Sequence, residues 1–410
     1  MNIRAIAKTA SLMAAGIFIA SAVHAEDSKQ DVYLHQLKDV SGIVFNPKDK
    51  EKFTVSTPHG IFTVRDNGLV KKLNKTPGYF MELIAHPNNP NVMFGSGYVS
   101  KTEKMGVVRS EDGGRNWQQL SEGAKGKASF YAMTISPINP RILYGVDEAI
   151  QASSDGGKTW QVVSPIQGER MFEIAVSPLK PKTVYAGTFN GLFKSEDGAK
   201  TWKNIGPVDK PVASLQVTKQ GEIHAFIYGY GYISASEKDL NWKRGAKEFQ
   251  KRALLNTTID PRNPQHIYGV SDTGAMMISK DSGNSWDSFE GHQYSSAKRI
   301  KAGKQLYEDN CLACHGENGI GENPDDPAAV DDNGLPLAPS LNDTMHAWHH
   351  SDDQLMSTIL NGSPRNERMT AWKEQDLTRE DAESLVAYMK SLWNFNSLSC
   401  QGPRHMSCMH

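Results

Sequence analysis

Apolar and polar positions alternate in short runs through the first two thirds of the chain and then change to helical spacing. Runs such as Ile142-Leu143-Tyr144-Gly145 and Val184-Tyr185-Ala186-Gly187 are bounded by Pro, Gly, Asn and Asp, which marks short strands between turns. Two elements recur in phase. Ser110-Glu111-Asp112-Gly113-Gly114-Arg115-Asn116-Trp117 returns as Ser153 to Trp160, as Ser195 to Trp202 and as Ser279 to Trp286, where Ser282 replaces a glycine. A worn copy ends at Trp242, so the five tryptophans are 43, 42, 40 and 44 residues apart. Upstream, in phase with the hairpins, a turn such as Ser136-Pro137-Ile138-Asn139-Pro140, Ser177-Pro178-Leu179-Lys180-Pro181 or Asp260-Pro261-Arg262-Asn263-Pro264 precedes an apolar run ending in glycine. His86-Pro87 and Asn46-Pro47 head two further copies.

A period of that length accommodates four short antiparallel strands and their turns. In the hairpin, Gly113-Gly114 and Gly156-Gly157 supply positive φ, and the Asp before them accepts hydrogen bonds from turn amides. The closing tryptophan is suited to packing between neighbouring sheets. With the degenerate unit around Gly60 to Leu73, six units are counted.

The repeat resembles the Asp-box, or BNR, motif of sialidases, sortilin-type receptors and related propellers. That resemblance implies an all-β, six-bladed β-propeller over about residues 31 to 292, within a domain spanning 26–294, with seven blades as the alternative. It gives Asp112, Asp155, Asp197 and Asp281 a structural role, because the box lies away from the axial cleft where such propellers bind ligands. A glycosidase would need paired carboxyl groups, or a tyrosine, a glutamate and an arginine cluster. Arg65, Arg109, Arg141, Arg170 and Arg252 fall on different units, and their order reveals no such set. A binding or docking module for a carbohydrate or protein ligand is the expectation, with a sialidase-like hydrolase or a redox enzyme as the alternative.

Helical spacing begins near Ser295-Ser296-Ala297, and Ala297 to Asn310 reads as a helix leading into Cys311-Leu312-Ala313-Cys314-His315. Two thiols separated by two residues can each add to one haem vinyl group, and the adjacent histidine then lies under the iron. A redox dithiol or half a zinc site is opposed by the appended histidine and by the lack of a second ligand pair. One covalent haem c is therefore expected.

Residues 297 to 395 resemble the class I cytochromes c, an all-α family, and the corresponding domain is placed at 295–395. Gly303 and Tyr307 stand where that family's first helix meets its last, and Leu385-Val386-Ala387-Tyr388 supplies the matching face. Thr378-Arg379-Glu380-Asp381 starts the last helix with a hydroxyl cap. The resemblance implies that the Pro339 carbonyl, in Ala338-Pro339-Ser340-Leu341, accepts the His315 Nδ1 hydrogen, and that Met369 is the sixth iron ligand. Thr370 stands where proline is usual, Trp372 is expected at the haem edge, and His346, His349 and His350 are the competing ligands. Thioether ligation implies a higher potential than two histidines would give.

Composition adds the compartment. Arg4 and Lys8, an apolar run from about Ala10 to Val23 and Val23-His24-Ala25 form the layout of a signal peptide over 1–25. The run is short of the roughly 20 residues a spanning helix needs, so no membrane span is expected after cleavage. Removing the leader takes two positive charges, leaving 43 basic against 46 acidic residues. That balance gives no basic excess for nucleic acid or anionic lipid. A periplasmic or secreted protein with a periplasmic redox partner is expected, and the acidic stretch holding Asp325-Asp326 and Asp331-Asp332 is either a solvated loop or a recognition surface for a basic partner. In the 396–410 tail, Cys400 and Cys408 form a disulfide, or, with His405, Met406, Met409 and His410, a soft-metal site.

Overall fold

The computed structural model describes residues 32–408 apart from 35–36, 38–39, 46–51, 66–68, 75–77, 166–170, 248, 250, 290–295, 327 and 345. The proposed leader, the boundary residue Ser295, Arg170, Met409 and His410 lie outside the described residues. The first two thirds form six antiparallel sheets, each a meander of four strands in sequence order, with Val32–Tyr33 added as a fifth on the outer edge of the first. Their innermost strands are Gly42–Phe45, Tyr79–Ala85, Ala132–Ile135, Met171–Val176, Val212–Val217 and Leu254–Ile259. Each touches the next, and the sixth touches the first, so the sheets close into a six-bladed β-propeller.

The two repeated motifs recur in phase because they bond to each other. The hairpin amide donates to the turn ahead of the second strand: Gly113 N to Asn91 O at 2.8 Å, Gly156 N to Arg141 O at 2.9 Å, Gly198 N to Lys182 O at 2.9 Å and Ser282 N to Gln265 O at 3.0 Å. Inside the hairpin, Ser110 Oγ donates to Asp112 Oδ1 at 2.9 Å and accepts from Gly114 N at 2.9 Å. Asp112 Oδ1 also accepts from the amides of Arg115 and Asn116. Burial alone would raise the Asp112 carboxyl, but hydrogen bonds from Asn116, Ser110 and Arg115 outweigh it and hold the group at about 2. The φ of Gly113 is 73° and of Gly114 90°, and Ser282 takes the same left-handed region at 60°.

Between blades the contacts are apolar. Trp160 packs on Phe130 at 5.0 Å and joins Phe94 and Val107 of the preceding blade. Among the described residues no strand is exchanged between the last and first blades. Aromatic rings close that seam instead, with Phe53 4.3 Å from Tyr268 and 5.2 Å from Phe289.

The helical part comprises α1 (Ala297–Asn310), α2 (Leu312–His315), α3 (Asp352–Asn361), α4 (Arg379–Ser391), α5 (Phe395–Ser399) and α6 (His405–Cys408). Ser296 caps α1, and capping boxes at Ser351 and Thr378 open α3 and α4. Helices α1 and α4 cross where Gly303 lies: a Cβ there would stand 1.8 Å from the Ser384 carbonyl oxygen. Tyr307 and Tyr388 meet beside it at 5.1 Å.

The two parts share one core. Phe249 of the propeller meets Phe395 of α5 at 4.5 Å, and Thr273 Oγ1 donates to Ser399 O at 2.6 Å. Cys400 and Cys408 are joined by a disulfide. The tail is therefore a packed bracket between blade 6 and the helices: Gln401 donates to Asp352 at 2.6 Å, and His405 stacks on His349 at 4.7 Å.

Candidate haem site

The end of α1 sets the site. Cys311 caps that helix, and α2 carries Cys314 and His315 within one turn, with His315 N donating to Cys311 O at 2.9 Å. Tyr307 Oη donates to Gly316 O at 2.6 Å and anchors the chain as it leaves α2. His315 is buried, and its Nδ1 lies 2.8 Å from the Pro339 carbonyl oxygen. The segment supplying that carbonyl is held by Ser340 Oγ on Ile320 O, by Leu341 N on Gly319 O and by Trp393 Nε1 on Leu341 O. Nδ1 is thus the occupied nitrogen of the ring and Nε2 the one left for a ligand.

Burial lowers the affinity of His315 for a proton, against the opposing pull of the Pro339 carbonyl and the Glu322 charge. The neutral ring is the form that ligates a metal. Burial also pushes the Cys311 thiol up, to about 11, with the Cys314 thiol adding to the shift. Both cysteines are free thiols, Cys314 exposed and Cys311 half-buried.

Met369 packs against the same apolar cluster as Cys311 and Leu312. Arg368, the residue before it, forms a forked ion pair with Glu322, Nη2 to Oε1 at 2.6 Å and Nη1 to Oε2 at 2.9 Å. Glu322 Oε2 in turn accepts from Ala338 N at 2.6 Å, one residue from Pro339. The methionine loop and the loop that orients His315 are tied through one carboxylate. Met369, Trp372, Cys311, Leu312, Leu341 and Trp348 all pack, half-buried, against one apolar cluster. Composition and spacing gave no sign of the Arg368–Glu322 link, because the partners stand 46 residues apart.

Two of the competing histidines are engaged by the tail. His349 stacks on His405, and the His350 carbonyl accepts from Gln401, so both belong to the bracket formed by the tail. The side chain of His346 lies outside the described residues. Among the described residues no cluster of three or more His, Cys, Asp or Glu could hold a metal ion. With Cys400 and Cys408 paired, the thiolates a soft-metal site in the tail would use are consumed.

Arg109 pairs with Glu111 of its own blade, and Arg252 pairs with Asp272 beneath the tail. Two buried acids on innermost strands, Glu82 and Glu173, escaped the sequence reading, and Glu82 Oε1 accepts from Leu83 N at 2.9 Å.

Residues 298–389 match the family model described as "Cytochrome C oxidase, cbb3-type, subunit III". No curated protein matches the chain. Solved structures similar to it include a Niastella koreensis GH74 enzyme, 15% identical, covering 61% of this chain and 45% of that one at a TM-score of 0.47. A GH74 xyloglucanase from Xanthomonas campestris is 14% identical, covering 63% and 46% at a TM-score of 0.46. The chain spans less than half the length of either. Its C-terminal helical region matches a cytochrome c domain, and that region follows a six-bladed β-propeller.

Proposed function

We propose that this chain is an exported, monohaem c-type cytochrome that transfers single electrons, with the propeller acting as the module that docks it to a periplasmic redox partner. The observation that carries the reading is the placement of His315: within one turn of two free thiols, with Nδ1 engaged by Pro339 and Nε2 left to ligate. Cys311, Leu312, Met369 and Trp372 pack against one apolar cluster, the kind of surroundings a largely apolar ring system requires.

Haem c, when bound, supplies the Fe(II)/Fe(III) couple. The chain's residues divide the remaining work. Cys311 and Cys314 would hold the haem through thioether bonds, His315 and Met369 would ligate its iron, and the Pro339 carbonyl would fix the imidazole and raise its basicity. Trp372 and the apolar cluster exclude water from the ring, which together with the thioether favours the reduced state. The acidic run Asp325-Asp326 and Asp331-Asp332 gives a partner with a basic face an electrostatic target. For the propeller, a protein or carbohydrate ligand is the proposed occupant.

Replacing Met369 by Ala tests the axial assignment. The ferric wild type is expected to show the weak sulfur-to-iron band at the red end of the spectrum, and the variant to lose it and fall in potential. An unchanged spectrum would transfer the sixth position to another side chain.

A further inference from the structure

Blade 5 carries the worn hairpin, and its interior departs from the other blades as well. At the position of the second strand that faces the next blade, blades 2, 3, 4 and 6 place the rings of Phe94, Tyr144, Tyr185 and Tyr268. Blade 5 places His224 there. At the matching position of the third strand, the other blades have Ile61, Val107, Ile150, Leu192 and Met276. Blade 5 has Tyr232. Blade 1 has Thr54 at the first of these positions and Ile61 at the second, so only the seam between blades 5 and 6 departs from the repeat at both.

These groups are deep and unpaired. His224 and Tyr232 are each 1% exposed, and their rings lie 5.9 Å apart. Tyr232 meets Trp286 of blade 6 edge-on at 5.4 Å. In blades 2 and 3 the corresponding indole donates to the hairpin carbonyl, Trp117 to Gly114 O and Trp160 to Gly157 O. In blade 6 that carbonyl, Gly283 O, accepts instead from Ala246 N at 2.9 Å. Both ring nitrogens of His224, the Tyr232 hydroxyl and Trp286 Nε1 have no hydrogen-bond partner among the described residues. Glu222 stands at the rim, with a side chain 44% exposed and Oε2 3.9 Å from His224 Nε2.

Buried polar groups in native proteins are hydrogen-bonded, to protein or to ordered water. We propose that the seam between blades 5 and 6 is a water-binding site, in which water bridges His224, Tyr232 and Trp286 and meets bulk solvent past Glu222. The donor set selects the ligand. A neutral imidazole donates once and accepts once, a phenol does both and an indole only donates, which suits a molecule that itself donates and accepts. The Glu222 carboxylate opposes anions. The Tyr232 ring packs directly on Gly283, whose Cβ would fall 2.2 Å from it, so the two blades meet closely at this seam. The site sits behind the surface that carries the helical domain, since Trp286 touches Phe249 at 6.5 Å and Phe249 touches Phe395.

A high-resolution crystal structure of the full chain tests the proposal directly. Ordered water within hydrogen-bonding distance of a His224 ring nitrogen and of Tyr232 Oη is expected; an empty seam, or these atoms turned onto protein partners, overturns it. In solution, oxygen-17 relaxation dispersion should detect long-lived water in the wild type that disappears in the His224→Phe, Tyr232→Leu double variant, which restores the residue types of the other blades. Equal dispersion in the two proteins overturns the proposal. Tyr232→Phe, which removes only a hydroxyl, makes the same comparison if the double variant does not fold.

Discussion

His224 shows how one side chain can set a response to acid. Burial holds its imidazole down at about 4, from an ordinary value near 6.5. The unfolded chain therefore takes up a proton between those two values that the folded chain refuses. Stability is complete above about pH 6.5 and falls as the pH drops toward 4, by on the order of 3 kcal/mol if His224 acts alone. Urea unfolding at pH 7 and pH 4.5 is expected to show the loss in the wild type and a smaller one in His224→Phe; equal slopes would mean that other groups govern the acid limb. None of this was legible in the sequence, because His224 differs from any other histidine only through the register that buries it. Cys311, Cys314 and His315 were legible because their chemistry depends on spacing along the chain. The contact of the Pro339 carbonyl with His315 was expected only by resemblance, as was the ligand role of Met369, and the link between their loops runs through Arg368 and Glu322, residues that look like ordinary surface charges.

The crossing of α1 and α4 depends on a single missing side chain. With Gly303 against the Ser384 carbonyl, the helices approach closely enough for Tyr307 and Tyr388 to meet. Gly303→Val is expected to destabilise the helical domain by about 3 kcal/mol, because the added atoms meet backbone that cannot swing aside. Denaturant unfolding followed at the helical domain measures it, and a loss under ~1 kcal/mol would show that the helices can separate at little cost. Strands and hairpins were readable because their turn residues and period repeat. The bond between the two repeated motifs was not, as with Gly156 N on Arg141 O, because a backbone hydrogen bond leaves no mark on composition. The tail was read as a pinned end, whereas Phe395, Ser399 and Gln401 make it a bracket that contacts blade 6 and α3 together.

At the level of the folded chain, the six sheets and the helices act as one body, with Phe249 and Phe395 in a core that also holds Tyr307 and Trp393. The tail holds the helical domain against blade 6, and under the proposed function the propeller is the docking module. An electron carrier gains from that arrangement, because docking through one surface then sets the distance from the other to the partner's redox centre. The account rests on haem being covalently held at Cys311 and Cys314, and extraction of the purified protein with acidified organic solvent tests it most directly. The account predicts one haem per chain that stays with the polypeptide in the wild type and is absent or extractable in a Cys311→Ser, Cys314→Ser double variant. Haem that leaves the wild-type chain on extraction, or a wild-type protein exported without haem from a host that matures c-type cytochromes, would contradict it.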